Sequence, residues 1–98
     1  MKFLFDGKGE PRAFVEAYFV YAMNGEPVGF LSGPHVHRLS DGAFVGELYQ
    51  DMVVDTYTSS PGTAPAPGVP GRVPPADNPG GRGTFDYGYP CRIDALFA

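Results

Sequence analysis

One short segment is written three times along the chain, and that repetition constrains the fold more than any other feature. Gly9-Glu10-Pro11-Arg12-Ala13-Phe14-Val15 returns as Gly25-Glu26-Pro27-Val28-Gly29-Phe30-Leu31 and again as Gly42-Ala43-Phe44-Val45-Gly46-Glu47-Leu48. A weaker fourth copy, Gly88-Tyr89-Pro90-Cys91-Arg92-Ile93, follows a long interruption. Self-similarity at a nearly fixed period is the mark of a repeat architecture, in which each copy is one supersecondary unit.

Each copy follows a short run rich in β-formers: Lys2-Phe3-Leu4-Phe5, Tyr18-Phe19-Val20-Tyr21 and Val36-His37-Arg38-Leu39. The links between are Asp6-Gly7-Lys8-Gly9, Met23-Asn24-Gly25 and Ser40-Asp41-Gly42. Asn-Gly and Asp-Gly accept positive φ in a tight turn, so these links predict turn-joined strand pairs. Proline at the first turn of Pro11–Met23 could open a helix, but the equivalent Val28-Gly29-Phe30-Leu31 is a poor helix, and strands are expected throughout. Ala13, Gly29 and Gly46 share one column of the repeat, and Val15, Leu31 and Leu48 share another on the same strand face. Strands converging on an axis suit that pairing of small and branched residues, and Val15, Leu31 and Leu48 are expected in the core.

Residues 1–98 read as a single β-domain with a Pro/Gly-rich insertion at 58–84. The insertion holds seven prolines and six glycines, with Val69 and Val73 its only sizeable apolar side chains. Such a composition reads as extended, solvated chain of polyproline-II character. About seventy residues then remain for a core, a size at which self-association becomes a live alternative to folding alone.

A net charge of −4 argues against nucleic acid, whose phosphates require a basic surface. No window supplies the roughly eighteen apolar residues of a transmembrane helix, and the N-terminus breaks into charge too soon for a signal-peptide core. One cysteine, Cys91, cannot form an internal disulfide, and a cytoplasmic setting is expected.

The glycine-centred units, the Pro61–Gly83 stretch and the ending Tyr87-Gly88-Tyr89-Pro90 through Leu96-Phe97 together resemble the four-fold β-flower proteins, a small bacterial family. The resemblance implies an all-β, pseudo-four-fold flower or shallow barrel of four hairpin petals, Tubby-like in outline, with the Pro/Gly insertion before the last strand. In the fourth petal Arg92 stands in the small-residue column and Asp94 in the aliphatic one. The family brings no catalytic residues to carry over.

Chemistry is sparse. His35 and His37, at i and i+2 on a strand, would share a face and could give zinc two ligands, with Asp41, Glu47 or Asp51 as a third. Two solvent-facing strand residues are the plainer account, and no metal or other cofactor is assigned. Glu10 and Glu26 recur beside turn glycines, where charge keeps a surface soluble. Cys91 lacks any nucleophile signature and reads as a small buried or half-buried thiol. Tyr21, Phe30, Phe44 and Tyr49 could line an apolar ligand cup or a protein interface on an open barrel face, or could fill the core beneath the insertion.

The function expected is therefore not enzymatic. A small interaction or ligand-binding module is favoured, with a protein partner, a second copy or a small apolar ligand as its target. The alternatives are a metal-dependent enzyme built on His35 and His37, and a polyproline segment, such as Pro67-Gly68-Val69-Pro70, docking a partner domain.

Overall fold

Period-two patterning in the repeats yields strands wherever it occurs. The computed structural model describes residues 1–56, 62–65, 68, 70–81, 83 and 88–97. Seven strands run in chain order: β1 (Lys2–Phe5), β2 (Pro11–Glu16), β3 (Phe19–Ala22), β4 (Pro27–Ser32), β5 (His35–Arg38), β6 (Phe44–Tyr49) and β7 (Met52–Val54). Each pairs antiparallel with the next in one sheet, and a short 3₁₀ helix, η1 (Ile93–Phe97), follows. Pro11–Met23 holds β2, a tight turn and β3, as the repeat requires, and not a helix.

The sheet curls into a nearly closed shallow barrel. Phe5 N–H donates to the Asp51 carbonyl at 2.8 Å, bringing β1 to the turn before β7, and the molecule measures 35 × 34 × 21 Å. Closure has a local cause. Pairing slips by one residue at the same place in each repeat, skipping Arg12, Val28 and Val45. An extra residue in one strand bends it and increases its twist, so three equivalent bulges turn a ribbon into a ring.

Leu4, Ala13, Val15, Val20, Val36 and Val53 fill one face of the sheet, together with Ile93 and Leu96 from η1. The small-residue column is a packing requirement: a Cβ on Gly29 would lie 2.7 Å from Leu96 Cδ2, and one on Gly46 would lie 2.7 Å from the Val54 carbonyl oxygen. Val15 is buried as expected, whereas Leu31 and Leu48 are only half-buried. They sit next to the last residues of β4 and β6 and pack on the border of the cluster.

The fourth petal departs from the hairpin form. Among the described residues, β7 pairs with the returning chain through the Val54–Cys91 bridge, with Asp55 N–H donating to Pro90 and Arg92 N–H to Val53. Arg92 and Asp94 are exposed, since charge in the inward columns would cost desolvation. The chain instead coils into η1, whose Ile93 and Leu96 supply the missing apolar contacts.

Successive petals are joined by two-residue turns, Ala17-Tyr18, Gly33-Pro34 and Gln50-Asp51, whose first residues have φ of 54°, 60° and 57°. Only one of the three is glycine. A left-handed conformation costs an L-residue about 1–2 kcal/mol, partly offset in a glycine variant by unfolded-state entropy. Ala17→Gly is therefore expected to raise the melting temperature by about 4–8 °C, for a gain near 1 kcal/mol in a domain of this size. An unchanged or lower melt in a calorimetric scan would show that the turn carries no strain.

Candidate functional site

The described residues of the insertion form a strap laid across the petal turns. Ala64 N–H donates to the Gly42 carbonyl, Val73 N–H to Gly25 and Ala76 N–H to Met23, each at 3.0 Å. The turn glycines hold φ of +84° at Gly9, +91° at Gly25 and +73° at Gly42. A Cβ at any of them would overlap strap backbone, at Gly83, Val73 and Ala64 respectively. The strap thus visits the three equivalent turns in reverse chain order. Its described part is anchored chain, which corrects the expectation of a solvated loop. Backbone groups that pair with turn carbonyls need no apolar side chains to be held. Val73 and Ala76 are half-buried while Arg72, Pro74 and Pro75 are exposed. In Pro67-Gly68-Val69-Pro70, Pro67 and Val69 lie outside the described residues.

Each turn is pre-built by its own Asx side chain. Asp6 Oδ1 accepts from the amides of Lys8 and Glu10, Asn24 Oδ1 from Glu26, and Asp41 Oδ1 from Ala43. Such local bonds favour turns over continued strand. Glu10 and Glu26, exposed at two of these turns, enter them through their backbone amides.

Arg38 adds a bidentate clamp on Asp41, with Nη2 2.7 Å from Oδ2 and Nε 3.1 Å from Oδ1, and its Nη1 donates to the Ala95 carbonyl of η1. The Arg38 hydrogen bonds, then the Ala43 amide, hold the Asp41 carboxyl down to about 2. A depressed folded value means a contribution that is present above the unfolded carboxylate value near 3.8 and is lost as pH falls through about 2. Acid titration between these limits is expected to destabilise the wild type more than Asp41→Asn. Parallel stability curves for the two proteins would contradict this.

The proposed aromatic cup is not an open cup. Tyr21 is 5% exposed and stacks on Phe14, with ring centroids 5.4 Å apart; Phe30 is 2% exposed and stacks on His37 at 5.3 Å. Phe44 is half-buried, edge-on to both histidine rings, and only Tyr49 is exposed, against Tyr89. These rings form a second buried layer on the sheet face opposite the aliphatic core. Strand alternation assigns a face but not what covers it.

His35 and His37 do share a face, but the Phe44 ring packs against each, at 5.6 and 5.9 Å. His37 is 1% exposed and donates its Nδ1–H to the Gly42 carbonyl at 2.9 Å, so it is a packed residue and not a solvent-facing one. His35 Nε2 lies 3.9 Å from Glu47 Oε1, and Asp41 is committed to Arg38. Among the described residues no three His, Cys, Asp or Glu side chains stand together as a metal site. Cys91 is exposed, not buried or half-buried, and its backbone bridges Val54 at the end of the sheet.

Among the described residues, one open space lies elsewhere. A groove of about 350 Å³ separates strap residues Val73, Pro74, Pro75, Ala76 and Asp77 from Phe14, Glu16 and Met1. Reading the sequence missed Phe14, Glu16 and the strap wall as site residues. Val73, one of two large apolar residues in a polar stretch, was the one available signal.

No helix among the described residues is long and apolar enough to cross a membrane. Comparison with curated proteins and with solved structures found no match. The family model described as 4-fold beta flower protein matches residues 2–84. That span takes in all three complete hairpins, β7 and the strap, and the chain belongs to the 4-fold beta flower protein family.

Proposed function

We propose that this domain is a non-catalytic binding module, working in a cytoplasmic setting, that receives a small apolar ligand between the strap and β2. The observation that carries the reading is the groove of about 350 Å³ with its Phe14, Val73 and proline walls. Its volume sits at the lower end of the range for small-molecule sites. The histidines support a non-catalytic reading, since the His37 ring is taken up in stacking on Phe30 and in bonding the turn at Gly42.

The test is a melting series of the purified domain against small apolar ligands. A saturable rise is expected, about 2.7 kcal/mol of stabilisation at ligand one hundred times Kd, and Val73→Trp, which fills the groove, should remove it. No rise from any ligand would overturn the reading.

Self-association is the second reading, favoured by the exposure of Tyr18 at 73%, Met1 at 70%, Phe97 at 41% and Tyr49 at 39%. It requires a melting temperature that rises with protein concentration. A monomer by sedimentation at high concentration would exclude it.

A further inference from the structure

We propose that the groove selects a cation, its occupant being a small organic ammonium ion with an apolar body. The inference rests on the binding reading above and adds the ligand's charge. Among the described residues, two charged side chains line the groove, Glu16 and Asp77, and both are acidic. Neither forms an ion pair among the described residues, unlike Asp6 and Asp94, which pair with Arg12, and Asp41, which pairs with Arg38. The α-amino group of Met1, on the same lining, pairs with neither carboxylate, and among the described residues no Lys or Arg lines the groove.

Two uncompensated carboxylates beside Phe14, Val73 and the prolines complement a cation that carries hydrocarbon. They would repel an anion, and a neutral ligand would gain only the apolar contact. The net charge of −4 adds a long-range attraction of the same sign. At about 30 Å³ for each water-sized group, the groove holds a body of about ten heavy atoms, the size of one small molecule and far short of a protein interface.

The experiment is calorimetric titration of the whole domain with phenethylammonium, phenethyl alcohol and hydrocinnamate, near-isosteric probes that differ in head-group charge. The ammonium is expected to bind about tenfold tighter than the alcohol, with hydrocinnamate weakest, and high salt should shrink the preference. A Glu16→Gln/Asp77→Asn double variant, with its melt unchanged, should lose the preference and keep the alcohol affinity. Equal binding of all three probes, abolished by Val73→Trp, would overturn the charge selection and leave the groove standing as a binding site. Absence of binding by every probe would remove both.

Discussion

Gly25→Ala is expected to lower the melting temperature by about 12–32 °C. The residue holds φ at +91°, and an added Cβ would overlap the Val73 carbonyl of the strap. Left-handed backbone costs alanine about 1–2 kcal/mol. Relieving the overlap means lifting the strap, which also removes the bonds from Val73 to Gly25 and from Ala76 to Met23, each worth about 1 kcal/mol. The sum, about 3–4 kcal/mol, sets the size of the shift through the usual 4–8 °C per kcal/mol for a small domain. Gly33→Ala is the control, because Gly33 has φ of +60° with nothing within 4 Å of its Cβ position. It should show the backbone cost alone. Equal losses for the two variants would mean that the strap is not seated at Gly25.

Leu96→Ala should be the other severe change, lowering unfolding free energy by about 2–5 kcal/mol in urea titration, as large-to-small core substitutions do. Leu96 is 3% exposed and touches the ring at Gly29, while Arg38 holds the backbone of the same short helix through Ala95. Gly29→Ala crowds the Leu96 side chain and, at 2.9 Å, the His37 carbonyl. Adding Gly29→Ala to Leu96→Ala should therefore cost less than Gly29→Ala alone, without becoming free. Strict additivity would show that η1 does not pack where the small column leaves room.

Periodicity made the hairpins legible. Turn glycines, the small column and the aliphatic column recur at one spacing, and each repeat forms the same bulged strand pair. Arg92 and Asp94 set the fourth repeat apart from the others in the sequence, but a fourth hairpin petal was still expected, and among the described residues the chain coils into η1 there instead. The two-residue corners escaped notice because Ala17 and Gln50 occupy left-handed positions without being glycine.

The strap was illegible for a deeper reason. It is held by backbone N–H groups at turn carbonyls, and by the absence of a Cβ opposite them, so composition registers only its proline and glycine. The site followed the same course. Tyr21 and Phe30 do lie on a face rich in rings, but both are buried there, and strand alternation does not say which faces stay covered. The groove runs along the strap's inner edge, out of reach of any local motif.

Native-state hydrogen exchange at the Ala64, Val73 and Ala76 amides tests the seating of the strap most directly. Protection well above free-peptide rates at all three, lost at Val73 and Ala76 in Gly25→Ala, is the predicted result. Exchange at free-peptide rates in the wild type would contradict it, leaving the groove without its outer wall.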